Sequence, residues 1–453
     1  MNPYEHMTTA PVKQLTLSLA VPSIISMMIT TVYNMVDAWF VAKLGTQAVA
    51  AVGISFAIME LINALGYLFG TGAGTRIGLL LGAKDRAGAS QVGTTACLYA
   101  LLLSAVPAAA GLAFLRPLMR FLGSSQAVLP YAEAYGRYML LGMPVMCLSI
   151  VLSTYLRSEG KNSLSMIGLG CGAVLNMLLD PLFIFTAGLG ISGAALATFV
   201  SQAVSLLVLL SFFLAGRTET RISPAFVSRD PQLLASILRA GLPSLCRHGA
   251  GTVATAALNI SAGIWGGDAL IAALSIVSKV SALILALIKG LFQGAQSIYS
   301  YNKGAGKEDR IREAYFFVLL LTMLAACVIA AVLSLFAPQV MNLFSGMDET
   351  AVTMGISALR WHVVGLIFMP FGFSMSMLLQ ATGSSGSSTL LAMLPQALFY
   401  VPLVFLLPRL FGATGIMMTP MLAYALTDAV AFPFWKRYFR PGGLSAVKKH
   451  QNT

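Results

Sequence analysis

Asn176 and Asp180 stand four residues apart in CGAVLNMLLDPLFIF, an otherwise almost wholly apolar stretch from Cys171 to Phe185. Four residues is just over one helical turn, so the amide and the carboxylate share a helix face. A carboxylate there has no water to ionise into unless that face lines a cavity, which makes it a functional candidate. The plainer reading is an N-cap, with Asp180 preceding Pro181 at the first position of a new helix. A second intramembrane acid favours the cavity. In Tyr33-Asn34-Met35-Val36-Asp37 the spacing sets Tyr33, Asn34 and Asp37 on one face. Two carboxylates in one dry cavity repel each other, and desolvation disfavours both anions. Such a pair can take up and release a proton, hold Na⁺ between carboxylate, amide and hydroxyl oxygens, or meet an organic cation. That is the chemistry of cation-coupled antiport. GAALATFVSQ adds Thr198, Ser201 and Gln202, residue types that also serve ordinary interhelical hydrogen bonding.

The elements that must position these residues are membrane spans. The chain has 453 residues, 57% of them hydrophobic and only 10% charged, where soluble domains carry about 25% charged residues. Long apolar runs, rather than short alternating segments, select helices over a barrel. Breaks of charge, Gly and Pro predict twelve spans, at 15–42, 48–81, 91–115, 134–156, 163–187, 191–216, 236–263, 269–300, 313–336, 353–380, 387–409 and 413–435. Net charge is +12, but the basic residues fall in short loops, a topological signal that argues against nucleic acid. With both termini inside, inside segments hold eighteen of the 28 Lys and Arg and outside segments six. Arg157 and Lys161 count with the inside loops, while Arg76 and Lys289 lie near enough to span ends to snorkel. The five scattered cysteines read as small hydrophobes, and four dispersed histidines indicate no metal site. The 23 methionines are ordinary packing, or an adaptable lining if they face the cavity.

The segment 217–232 reads as a cytoplasmic linker between an N-terminal six-helix lobe, 1–216, and a C-terminal lobe with its tail, 233–453. The halves are alike. Pro22 matches Pro243 at an offset of 221, and the same offset sets Gly45 on Gly266 and Ala48 on Ala269. An even number of spans per half gives parallel repeats. The acids are not repeated, since Leu258 stands opposite Asp37 and Val401 opposite Asp180. Four other buried charges are possible cavity residues. Glu60 and Lys279 occupy nearly corresponding positions and can pair or face a wet cleft. His248, beside Arg247, and Asp428 can line the second lobe, His248 as a satisfied interior residue or as a proton relay.

The opening PSIISMMITTVYNMVDAWFVAKLGTQAVAAVGIS, the mid-half NMLLDPLFIF with LGISGAALATFVSQ, and FQGAQSIYSYNKGAGKEDRIREA together resemble the multidrug and toxic compound extrusion (MATE) family. The resemblance runs from about Pro11 to Arg440 and is strongest to the DinF-type, MepA-like branch. It implies a V-shaped pair of six-helix lobes that rock between outward- and inward-open states. It implies export of organic cations in exchange for H⁺ or Na⁺, with no other cofactor, by a monomer in the bacterial cytoplasmic membrane. The branch's coupling site carries over as Asp37, Asn176, Asp180 and Thr198, which would also hold Na⁺. The NorM-type site in the second lobe does not carry over, because span ten has no acid. The alternative is a lipid-linked precursor flippase of the same superfamily, which Arg247, Lys279 and Lys289 keep open. No GxxxxGK[ST], HExxH or GxGD motif suggests a nucleotide-driven pump or an intramembrane enzyme.

Overall fold

Backbone buried in a bilayer must satisfy its own hydrogen bonds, and the apolar runs accordingly fold as helices. The computed structural model describes residues 3–342 and 349–440. A short α1 (Pro3–Thr9) leads into α2 (Val12–Ala42), α3 (Thr46–Gly82) and α4 (Arg86–Ala113). Then follow α5 (Leu115–Phe121), α6 (Leu129–Ser158), α7 (Asn162–Pro181) and α8 (Gly190–Leu214). The second half holds α9 (Pro231–Gly304), α10 (Glu308–Leu335), α11 (Ala337–Asn342), α12 (Glu349–Ala381), α13 (Ser385–Met393), α14 (Tyr400–Phe411) and α15 (Ala413–Tyr438). No β-strand occurs among the described residues. Counted with their π turns, the helices end within five residues of the expected spans. Lys448 and Lys449 of the charge bias lie outside the described residues.

Helix α9 has 74 residues and would be about 110 Å long if straight, several times the ~30 Å hydrocarbon core. It reverses at Gly267, whose φ of 58° and ψ of −158° belong to a region that only glycine enters readily. The eleven long apolar helices among the described residues therefore make twelve crossings.

Within the first half, α3 packs on α4 and α6, α6 on α8, and α7 on both α2 and α8. In the second, α12 packs on α9, α10 and α15, and α14 on α15. The halves meet where α2 and α3 lie against α9. That seam depends on glycine. A Cβ on Gly241 would stand 1.8 Å from the Leu68 carbonyl oxygen, and one on Gly304 2.0 Å from that of Leu79. Small residues let helix backbones approach this closely. A buried polar tie adds to the seam. Thr71 Oγ1 of α3 donates to Ser244 Oγ of α9 at 2.9 Å, and Gln380 Nε2 of α12 donates to Ser244 Oγ at 3.0 Å.

The linker is docked on the first half. The Glu159 carboxylate accepts the backbone N–H of Glu219 at 2.8 Å and of Thr220 at 3.0 Å, together with the Thr220 hydroxyl. Large apolar side chains such as Val106, Leu178, Leu207 and Leu320 are exposed on the outer face, as contact with lipid tails requires.

Candidate coupling site and central cavities

Asp37 comes from α2, Asn176 and Asp180 from α7, and Thr198 from α8, three helices that pack on one another. Helix α7 continues through Pro181 and then widens into a π turn, Leu182–Thr186. Proline has no N–H to give and its ring crowds the preceding turn, which accounts for the widening. Asp180 is therefore not an N-cap. It ends the regular helix with its carboxylate turned into the packed interior, fully buried. Asn176 Nδ2 donates to Asp180 Oδ1 at 3.2 Å and lies 3.4 Å from Thr198 Oγ1. Thr198 in turn donates back to the Ala194 carbonyl at 3.1 Å.

Asp37 lies close enough to Asp180 for their charges to repel. Buried oxygens without a hydrogen-bond partner remain on all three acceptors, namely Asp37 Oδ1, Asn176 Oδ1 and Asp180 Oδ2. A set of hard oxygens with unused lone pairs fits a proton or a small hard cation such as Na⁺. Among the described residues no three His, Cys, Asp or Glu side chains converge, so the oxygen set rests on two carboxylates, an amide and a hydroxyl.

Tyr33, one turn before Asp37, is half-buried and lines a cavity of about 120 Å³ with Thr198, Gln202, Met59 and Met146. Asn34 is exposed and has no contact with the cluster among the described hydrogen bonds. One residue is 100° of helix rotation, and it carries the Asn34 side chain off the face that Tyr33 and Asp37 share. Tyr135 of α6, without a signal in the sequence, is 2% exposed and sits within electrostatic reach of Asp37, Tyr33 and Asp180.

Glu60 pairs with His248 at 3.3 Å rather than with Lys279, which is exposed. His248 also stacks on Tyr67, ring centroids 5.0 Å apart. Glu60, His248 and Asp428 line a second cavity of about 320 Å³ between the halves, where Asp428 accepts the Gly372 N–H at 2.9 Å. Arg247 and Lys289 lie beside them, and Lys289 does not snorkel to a span end but, like Arg247, lines this cavity and its neighbour. Arg157 is likewise displaced from its expected loop. It is 8% exposed, donates to Thr154 Oγ1 at 2.8 Å and to Ser165 Oγ at 3.2 Å, and faces the same interior.

A MatE family model matches this chain twice, over residues 22–182 and 250–406. The chain belongs to the MATE family. Each match falls in one half, in keeping with an internal repeat. Among MATE proteins, it is similar to the multidrug export protein MepA of Staphylococcus saprophyticus, 28% identical with 91% of each chain covered. Similarity to MepA of Staphylococcus aureus is 26%, covering 93% of each. In structure it is similar to an outward-facing multidrug resistance MATE transporter of the MOP superfamily, with a TM-score of 0.92, 28% identity and 99% of each chain covered. These likenesses favour a multidrug exporter over a lipid-precursor flippase.

Proposed function

We propose that this MATE transporter exports amphipathic organic cations in exchange for H⁺ or Na⁺, and that Asp37 and Asp180 couple the two movements. The observation that carries the reading is the cluster of half-buried Asp37 with buried Asn176, Asp180 and Thr198, which has buried acceptor oxygens unused on three of its members. Ionised, the two carboxylates repel each other and attract a cation into the adjoining cavity, where Met59, Met146 and Tyr33 offer adaptable apolar contact. On the other side, a proton or Na⁺ entering the cluster cancels that attraction, and the organic cation leaves. Because α2 and α7 carry the two acids, their neutralisation also removes a repulsion between helices and lets α2 repack. Pro22 within α2 leaves a weak point in its hydrogen-bond ladder for that movement.

The two halves, 1–216 and 233–453, act as the rocking units of a single chain, with both termini on the cytoplasmic side. The bias of Lys and Arg supports that orientation. Contacts near the α9–α10 turn put both chain ends on one side of the molecule: Asn302 of α9 donates to the Met7 carbonyl at 3.2 Å, and Phe439 packs on Tyr315 of α10 at 5.0 Å.

Proteoliposomes loaded with a fluorescent organic cation test the reading, with an H⁺ or a Na⁺ gradient imposed separately. One gradient is expected to stimulate efflux, and Asp37→Asn or Asp180→Asn to abolish the stimulation with membrane insertion intact. Efflux that survives both substitutions would show that coupling lies elsewhere.

A further inference from the structure

Between the halves, next to the seam, lies a cavity of about 100 Å³ whose lining contains Arg157, Arg247 and Lys289 and no carboxylate. Drug-sized ligands occupy pockets of roughly 300–1,000 Å³, so this space suits a headgroup rather than a whole molecule. It joins the 320 Å³ cavity through Arg247, His248, Lys289 and Phe373, which line both. The larger space can hold the body of a ligand whose charged end occupies the smaller one.

The carboxylates nearest the three cations, Glu60 and Asp428, line the adjoining cavity and not this one. Among the described residues none of the three cations makes an ion pair. Arg157 is held by two hydroxyls. Arg247 is 3.4 Å from Ser376 Oγ and lies over the Phe373 ring at 5.0 Å. Lys289 is close enough to Arg247 to be repelled by it, and its nearest relief is Glu60, itself paired with His248. Holding like charges together in a largely buried space is costly unless an anion joins them. Two guanidiniums and an ammonium, with Gln293, Gln296 and Gln380 alongside, form a donor set matched to a phosphoryl or carboxylate group.

We infer that this central cavity binds the anionic headgroup of an amphiphile, phosphoryl or carboxylate, at a place distinct from the first-half carboxylates. The headgroup is that of a soluble amphiphile or of a membrane phospholipid.

The test is equilibrium binding to the purified full chain in a neutral detergent, without an ion gradient, so the result does not depend on coupling. Dodecyl phosphate and neutral dodecanol share a tail, and only the first carries an anionic head. Wild type is expected to bind the phosphate at least about tenfold more tightly, and Arg247→Gln with Lys289→Gln to remove about that factor. Lys289→Arg should retain binding, since it keeps the charge. Competition by phosphatidylglycerol but not phosphatidylcholine would assign the site to a lipid headgroup, and absence of competition to a soluble amphiphile. Either supports an anion site. Equal affinity of wild type for the two probes overturns the proposal without recourse to any variant, as does undiminished phosphate binding in a folded double variant.

Discussion

At the scale of single residues, the structure separates side chains that share a sequence pattern. Tyr33, Asn34 and Asp37 are one helical face on paper, yet only Tyr33 and Asp37 turn inward. Spacing limits a side chain to a sector of its helix, and packing decides which edge of the sector is buried. Asn176, Asp180 and Thr198 were easier to read, because each is polar within a run too apolar to tolerate it without a partner. Arg157 and Lys289 were misplaced for the opposite reason. Arg157 sits beside the loop residue Lys161 in the chain and Lys289 toward one end of an apolar run, and only the packing of α6 and α9 carries them inside. A testable residue lies in the linker. Burial, with Glu159 beside it, holds the Glu219 carboxyl above the usual carboxylate range, although Arg86 pairs with it at 3.1 Å. The folded state thus holds this proton more tightly than the unfolded chain does. Its favourable contribution is complete below the ordinary carboxyl range and is lost as pH rises through the raised value. Glu219→Gln is therefore expected to raise the apparent melting temperature at neutral pH. The gain should vanish near pH 4, about where an unperturbed glutamate is protonated. An equal gain at both pH values would contradict this.

Among the elements, the long crossings were legible because hydrophobic length is a requirement of the bilayer itself. The short α1, α5 and α11 were not, since one or two turns beside a span leave no pattern of their own. Both half-chains contain a π turn, Leu182–Thr186 and Leu394–Leu398, beside Pro181 and within a segment holding Pro395. They fall at different depths, twenty residues into the first crossing and nine into the second, so the repeat seen in sequence does not fix the break. The glycine seam was also hidden, because a glycine in a membrane helix gives no sign of which neighbour approaches it. Its energetic weight can be measured. Gly241→Ala or Gly304→Ala forces a Cβ against backbone oxygen, and such overpacking costs about 1–3 kcal/mol. A clear fall in apparent melting temperature is expected for both. Gly249→Ala, with nothing within 4 Å of the added carbon, should leave the melt unchanged or slightly raised. Equal effects at all three positions would mean that the seam is looser than described.

For the whole molecule, the tie between Thr71, Ser244 and Gln380 joins α3 of one half to α9 and α12 of the other. Any rocking of the halves that opens this region must break it. With hydroxyls 2.9 Å apart, Thr71→Cys with Ser244→Cys is expected to form a disulfide on oxidation. Transport should then stop and return on reduction, with neither single variant responding. Transport unaffected by a verified disulfide would mean that the cycle leaves this contact closed. The reversal at Gly267 bears on how the protein is made. Crossings seven and eight are joined by a single non-helical residue, with no loop to rest in the aqueous phase while the second crossing is synthesised. The pair must enter the bilayer as one helical hairpin, and the ribosome has to deliver some seventy residues before either member is stably placed. An insertion of even a short tag at that reversal would strike assembly in the membrane before it ever reached transport.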